Sequence, residues 1–307
     1  SERLARIPVA LKADIDSGRI PGAVIAIARH GKLVAFDAYG WRDKAANIPM
    51  TTDTIFNIAS MTKPMTAVGG LMLYEQGKLL INDPLSKYFP KFAGARVAVL
   101  DGDGLAGTVE ANRPITIQDL MTQTSGITYG FYGDSMVRKA YANARIYDGD
   151  FDNAEFAERI AALPLAEQPG TLWDYGHSTD ILGRVIEIVS GKSLLQFEKE
   201  KLLDPLGMTA TSFYVTDPGK RKLIALPMPN DRDFRVGYES SPEAVMKWAS
   251  GGGGMVSTLA DFAPFSRMLL NSRRLAGRQY LSTMAFAAIP APRVGPTPSP
   301  ERDDLSF

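Results

Sequence analysis

The first regular apolar pattern in the chain is GAVIAIARHGKLVAFDAYGW, at residues 22–41. Two runs rich in valine, isoleucine and alanine lie on either side of a short polar stretch at residues 30–32. Runs of this kind around a short turn predict a β-hairpin. His30 then lies at the turn, where we expect its side chain to face solvent.

Apolar residues change to a helical spacing after the hairpin. The positions that share one helical face are Met65, Val68, Leu71, Met72 and Tyr74. This spacing predicts a buried helix over residues 63–76, and Gly77 is typical of the residue that ends such a helix.

The later pattern predicts a second hairpin and more helices. ARVAVLDGDGLAGTVEANRPITIQDLM predicts a hairpin that turns at DGDG, followed by a helix that begins near Thr116. FDNAEFAERIAAL and STDILGRVIEIVSGKSLLQFEKEKLLDPLGM also have helical patterns, and Thr258-x-x-Asp261 is typical of a helix start. The last segment, IPAPRVGPTPSPERDDLSF, is polar and proline-rich.

Composition narrows the classes of function. With 307 residues, 45% hydrophobic and 22% charged, the chain is typical of a globular protein of one large or two modest domains. Lys+Arg 34 balances Asp+Glu 34, so nucleic acid is not an expected partner. The chain has no cysteine and two histidines, which argues against thiolate chemistry and a histidine-rich zinc site. Asp101-Gly102-Asp103 resembles part of a calcium loop, but the other ligand positions are unmatched.

No apolar run reaches the roughly 18 residues that suggest a membrane span, and SERLARIPVA lacks the apolar core of a signal peptide. We therefore expect no membrane association. The expected location is the cytoplasm by default, with the periplasm as the alternative.

A serine nucleophile is the chemistry that the motifs favour. No segment fits Gly-x-Ser-x-Gly, so the nucleophile elbow of the α/β-hydrolases is absent. Ser60-Met61-Thr62-Lys63 is the only Ser-x-x-Lys in the chain, and Pro64 restricts it to the first turn of a helix. Residues three apart share a helix face, so Lys63 can reach the Ser60 hydroxyl.

The position of this motif at a helix N-terminus favours catalysis. The positive end of the helix dipole disfavours an ammonium group and supports an anionic oxygen. The alternative is an ordinary serine N-cap with Lys63 reaching solvent.

A second polar group is needed to carry a proton to the leaving group. QPGTLWDYGHSTDILG places Tyr175 on a loop between a Pro-Gly turn and a helix, where a rigid scaffold can aim it into a cleft. The alternative for Tyr175 is a half-buried aromatic whose hydroxyl is satisfied locally.

Taken together, these segments resemble the serine β-lactamase and penicillin-binding superfamily. Within it they are most similar to class C β-lactamases and family VIII carboxylesterases. The matching segments cover most of residues 20–275. Besides the opening hairpin they are FNIASMTKPMTAVGGLMLYEQGKLLINDPLSKYFP, ITIQDLMTQTSGITYG, PGTLWDYGHSTDILGRVIEIVSGKSL, LLDPLGMTATSF and GGGGMVSTLADFAPFSRMLLN.

The resemblance implies Ser60 as nucleophile, Lys63 as general base and Tyr175 as the residue that completes proton transfer. It also places Tyr129 in a loop that lines the cleft, as a candidate substrate-binding residue. His177 lies where class C enzymes have a substrate-binding asparagine, which weakens the case for efficient β-lactam hydrolysis. For His177 we weigh substrate contact equally with capping of the following helix.

The implied fold is α/β (α+β) and β-lactamase-like: an antiparallel sheet flanked by helices, plus a mainly helical region. We expect the N-terminal helix and hairpin in residues 1–60, the helical region with the catalytic helix at its start in 61–245, and a return to the α/β region in 246–307. The family's third motif, such as Lys-Thr-Gly, does not follow Leu281. We therefore expect the C-terminal strands to be absent from this chain and present in the functional protein.

The expected function is hydrolysis of small carboxylic esters through an acyl-serine, with no metal or organic cofactor. One alternative is a β-lactamase or D-alanyl-D-alanine carboxypeptidase. Another is a non-catalytic binding protein with the same fold. The sequence leaves the oligomeric state open.

Overall fold

The computed structural model describes residues 4–101, 104–228, 245–271, 274–275 and 277–288. Its helices are α1 (Arg6–Asp16), α2 (Lys63–Glu75), α3 (Ile117–Thr122), α4 (Met136–Asn143), α5 (Asn153–Ala161), α6 (Ser178–Ser190), α7 (Leu194–Glu198), α8 (Asp204–Leu206), α9 (Pro218–Arg221), α10 (Leu259–Leu270) and α11 (Thr283–Ala288). Its strands are β1 (Gly22–Arg29), β2 (Lys32–Asp43), β3 (Ile48–Pro49), β4 (Phe56–Asn57), β5 (Arg96–Asp101), β6 (Gly104–Glu110), β7 (Val256–Ser257), β8 (Arg274–Leu275) and β9 (Arg278–Gln279).

The described residues divide into two compact units. The first lies within Ser1–Ile58, Leu203–Val245 and Met255–Arg278, and the second within Ala59–Leu202, Met246–Gly254 and Gln279–Phe307. The three-segment division expected from the sequence stays a prediction.

The first unit contains the predicted opening hairpin. β1 and β2 pair antiparallel with β3 beyond them, and helices α1 and α10 pack against this sheet. The turn is formed by His30 (φ 50) and Gly31 (φ 74), both left-handed, as two-residue hairpin turns of the favoured kind require. His30 is exposed there, as predicted. β4 and β7 form a separate antiparallel pair, so the segment that leads into Ser60 is held by residues 256–257.

The second unit has a helical core. α2 packs against α6 and α7, and α6 also packs against α3 and α5. The predicted helix end is confirmed, because α2 stops at Glu75 and Gly77 has a left-handed φ of 66°. Leu73 and Leu182 are fully buried between these helices.

The second predicted hairpin and its following helix are also confirmed. β5 and β6 pair antiparallel, with Asp101 opposite Gly104. Thr116 caps α3 in a reciprocal capping box with Asp119. Gly102 and Asp103 lie outside the described residues, as does the proline-rich segment from residue 289 on which the prediction of absent C-terminal strands depends.

Together these elements give a mixed α/β structure with small antiparallel sheets, in agreement with the predicted fold class.

Candidate active site

Ser60 lies in a tight turn immediately before α2. The turn Ala59–Thr62 is a 3₁₀-helix, and α2 begins at Lys63 with proline in its first turn. Ala59 has a φ of 43°, an unfavourable conformation for a residue with a Cβ atom. The backbone therefore turns sharply just before Ser60, whose side chain is exposed to solvent.

Lys63 contacts Ser60 from the next turn of the chain. Its Nζ lies 3.2 Å from Ser60 Oγ, 3.2 Å from Tyr129 Oη and 2.6 Å from the Gly252 carbonyl oxygen. The side chain is half-buried. Three partners at these distances hold the amine beside the serine hydroxyl in one orientation.

Tyr175 approaches Ser60 from the other side. Its hydroxyl donates to Ser60 Oγ at 2.5 Å, and Lys63 Nζ lies 4.5 Å from the centroid of its ring. Ser60 Oγ is thus within hydrogen-bonding distance of both an amine and a phenol. The structure therefore brings together the three residues that the resemblance implied.

The loop that carries Tyr175 is fixed by Gln123. The Gln123 backbone carbonyl accepts from Asp174 N at 2.9 Å, and its side-chain oxygen accepts from Gly176 N at 3.1 Å. Gln123 is buried and has a φ of 57°, so the turn after α3 is itself left-handed. A half-buried ion pair of 2.6 Å between Arg138 and Asp174 adds a second attachment.

Tyr129 lies in the next loop and is buried, with 7% of its surface exposed. Its ring packs edge-on against Tyr175 at a centroid distance of 5.3 Å and against His177 at 4.3 Å. The predicted substrate-binding role of Tyr129 stays a prediction, and its hydroxyl accepts from Lys63.

His177 is the N-cap residue of α6, but its side chain makes no capping hydrogen bond. The ring is 1% exposed. Nδ1 lies 2.9 Å from Asp180 Oδ2, and Nε2 lies 3.0 Å from Tyr147 Oη. Both ring nitrogens are therefore engaged inside the protein, behind Tyr129.

Asp180 connects His177 to Lys63. Its second carboxylate oxygen accepts from Ser250 Oγ at 2.5 Å and from Gly252 N at 3.0 Å, and the Gly252 carbonyl accepts from Lys63. A Cβ atom at Gly252 would lie 2.6 Å from the Asp180 carboxylate, so this close approach requires glycine.

Sequence reasoning did not single out Asp180, Ser250 or Gln123. Asp180 lies three residues after His177 on the first turn of a helix, the spacing at which two side chains meet. That spacing was a usable signal. The partners Ser250 and Gly252 lie 70 and 72 residues away from Asp180, and no local pattern indicates such pairing.

Burial alone would raise the pKa of Asp180. The hydrogen bond and charge of His177, the Ser250 hydroxyl and the charge of Lys63 together hold the pKa of this carboxyl below its usual range. Asp180 therefore supplies a buried negative charge next to the Gly252 backbone that holds Lys63.

Across the described ranges, no group of three or more His, Asp or Glu side chains is arranged to hold a metal ion. No helix in that same part of the chain is long and apolar enough to cross a membrane.

Ser60 lies between a lysine amine and a tyrosine hydroxyl at the start of a helix, in a mixed α/β structure, which is the arrangement of a Ser-x-x-Lys protein. The chain belongs to the beta-lactamase family, whose model matches residues 9–306.

Two curated relatives are esterases by name. Esterase EstB of Burkholderia gladioli is 30% identical over 279 residues, which cover 84% of this chain and 67% of the relative. Lovastatin esterase of Penicillium rubens is 33% identical over 271 residues, covering 84% and 66%. The chain spans about two thirds of the length of the curated relatives it matches.

The solved structure of EstCE1, described as a hydrolase with promiscuous acyltransferase activity, is 27% identical and superposes with a TM-score of 0.78. The match covers 95% of this chain and 77% of that one. The β-lactamase-like fold is thereby confirmed, and the named relatives support a serine hydrolase class.

Proposed function

We propose that this protein is a serine hydrolase that cleaves small carboxylic esters through an acyl-serine intermediate. The observation that carries the proposal is the position of Ser60 Oγ, 3.2 Å from Lys63 Nζ and 2.5 Å from Tyr175 Oη. A nucleophile in hydrogen-bond contact with a base and a proton donor has the geometry that acyl transfer requires.

In the acylation step, Ser60 Oγ attacks the ester carbonyl carbon while its proton passes to Lys63 Nζ. The Gly252 carbonyl and the Tyr129 hydroxyl accept from Lys63 and hold its amine beside Ser60 Oγ. The tetrahedral intermediate collapses when the bond to the alcohol oxygen breaks. Tyr175 donates its proton to that oxygen, and the alcohol leaves.

Deacylation reverses these roles with water as the nucleophile. Water loses a proton to the Lys63 and Tyr175 pair as it attacks the acyl carbon, and the Ser60 oxygen regains a proton as the carboxylic acid leaves. The overall reaction consumes one ester and one water and yields one acid and one alcohol. The proton transfers in both steps use the side chains of Ser60, Lys63 and Tyr175.

Tyr129 and His177 support this arrangement in the proposal. Tyr129 fixes Lys63 through its hydroxyl, and the buried His177 ring packs against Tyr129 at 4.3 Å. Because both His177 nitrogens have internal partners, the proposal assigns His177 to holding Tyr129 and Asp180, in place of the substrate contact or helix capping that the sequence left open.

The first test compares the purified chain with Ser60→Ala in the hydrolysis of p-nitrophenyl butyrate. We expect kcat/KM to fall at least about 1000-fold in the variant, because the covalent route is lost. The control is Ser17→Ala, an exposed serine in the first unit, which should retain the full rate. Circular dichroism establishes that all three proteins fold alike.

Equal rates for the unmodified chain and Ser60→Ala would overturn the proposal. Nitrocefin supplies the second comparison, because a β-lactamase uses the same nucleophile on a different substrate. Turnover of nitrocefin faster than that of the ester would replace the esterase assignment with the β-lactamase one.

A further inference from the structure

Aromatic side chains lie in a continuous cluster around Ser60, and two of them remain open to solvent. Trp173 is 40% exposed and Phe131 is 38% exposed, although large aromatic residues gain by burial. Trp173 stacks on Tyr175 with a centroid distance of 5.9 Å and an interplanar angle of 16°. Through Tyr175, the indole is one ring away from the nucleophile.

The backbone around Trp173 is rigid. Asp174, the next residue, donates its N–H to Gln123 and pairs with Arg138. Before it, Gly170 N donates to the Thr124 carbonyl at 2.7 Å. Because the chain is held on both sides of Trp173, the indole loses little conformational entropy when a ligand stacks on it. The exposed surface of the indole is therefore well suited to binding.

The direction of proton transfer determines which half of an ester lies next to the Trp173 indole. In the proposed mechanism Tyr175 donates its proton to the departing alcohol oxygen, so that oxygen must come within hydrogen-bonding distance of Tyr175 Oη. A substituent on the alcohol therefore begins beside the Tyr175 ring. The acyl substituent leaves the carbonyl carbon in another direction.

We propose that Trp173 binds an aromatic ring in the alcohol half of the substrate, so that the preferred substrates are esters of ring-bearing alcohols. The inference rests on the proposed function, because it takes its direction from the role of Tyr175 as proton donor. Stacking against Trp173 then contributes to acylation, while hydrolysis of the acyl-enzyme does not depend on the alcohol that has left.

Internal competition between 2-phenylethyl acetate and hexyl acetate tests this binding. Both esters give the same acetyl-enzyme, so the ratio of the two alcohols released, measured by gas chromatography, reports the ratio of kcat/KM values. We expect Trp173→Leu to lower the ratio of phenylethanol to hexanol about fivefold, the size of one aromatic contact. Trp173→Phe should restore most of the ratio.

The ratio is independent of the concentration of active enzyme, so a partly folded variant still gives a valid result. Leu270→Ala, an 83% exposed position in the first unit, is the control and should leave the ratio unchanged. A second pair, ethyl 3-phenylpropanoate and ethyl hexanoate, places the ring in the acyl half. Both esters release ethanol, so the ratio of the two acids is measured, and Trp173→Leu should change that ratio less than twofold.

An unchanged alcohol ratio in Trp173→Leu would overturn the inference, and so would a change confined to the acyl pair. If the unmodified chain hydrolyses p-nitrophenyl butyrate through Ser60 but neither acetate, the inference is wrong and the proposed function stands. If p-nitrophenyl butyrate is not hydrolysed either, the proposed function fails and the inference fails with it.

Discussion

At the scale of single residues, the buried carboxylate of Asp180 is the group most directly coupled to the proposed base. It holds the Gly252 backbone, whose carbonyl accepts from Lys63, and its charge interacts with Lys63 across the same contact. Asp180 therefore positions Lys63 through the Gly252 backbone.

We expect Asp180→Asn to lower kcat about 10- to 100-fold with a smaller change in KM, because the support of Lys63 is weakened. The measurement is kcat and KM for p-nitrophenyl butyrate.

The control for that measurement is Asp217→Asn. Asp217 is an exposed carboxylate that caps α9 in the first unit, so its loss should leave kcat unchanged. An unchanged kcat in Asp180→Asn would contradict the positioning of Lys63 by Asp180.

At the scale of elements, the active site depends on a close backbone crossing between the loops that carry Tyr129 and Tyr175. A Cβ atom at Gly176 would lie 2.0 Å from the Ile127 carbonyl oxygen and 2.7 Å from Thr128 Cα. Both contacts are with backbone, which cannot rotate away as a side chain would. Glycine at position 176 therefore sets the spacing of the two tyrosines.

We expect Gly176→Ala to lower the free energy of unfolding by about 3 kcal/mol and to lower esterase activity as well, because the two loops must separate. Gly94→Ala is the control, since a Cβ atom at Gly94 would have no neighbouring atom within 4 Å. Urea denaturation followed by tryptophan fluorescence gives both stabilities. Equal stability of the two variants would show that the crossing tolerates a methyl group.

The sequence pattern correctly predicted those elements that are determined by residues close together in the chain. The hairpin turn at His30, the end of α2 before Gly77 and the cap at Thr116 all follow from residues adjacent in the chain. The Ser60 and Lys63 pair was also visible, because three residues separate them. The sequence placed Ser60 at the opening of a helix, and the structure has it in a 3₁₀ turn that follows the strained Ala59 and leads directly into α2.

The remainder of the site could not be predicted locally. The two-residue pair β4–β7 joins residues 56–57 to 256–257, and Lys63 meets Gly252 across 189 positions. Such contacts are set by the packing of whole elements. Tyr129 was placed near the site only through the family resemblance. Tyr175 was a loop candidate from the sequence, and the resemblance supplied its role.

At the scale of the whole molecule, pH should affect stability through Glu198. This residue ends α7, which packs against α2, and it is fully buried. Burial raises the pKa of Glu198 from 4.5 to about 8, and the Thr66 hydroxyl nearby offsets only part of the rise. At neutral pH the folded protein therefore holds a protonated carboxyl that the unfolded chain would ionise.

The sign of the effect follows from proton binding. Between pH 4.5 and 8 the unfolded state binds fewer protons at this position than the folded state, so the free energy of unfolding falls as pH rises. The contribution of Glu198 levels off above pH 8, where both states are ionised. The full loss across this window is at most about 5 kcal/mol.

Glu198→Gln should remove this dependence, because a neutral amide of the same shape replaces the acid. We expect the variant to match the unmodified protein near pH 5 and to exceed it in stability by a growing margin up to pH 8, as measured by urea denaturation at several pH values. Glu200→Gln, an exposed neighbour paired with Lys192, should change stability by about 1 kcal/mol or less at every pH. Parallel curves for the unmodified protein and Glu198→Gln would mean that Glu198 is already ionised in the folded state, with its charge compensated.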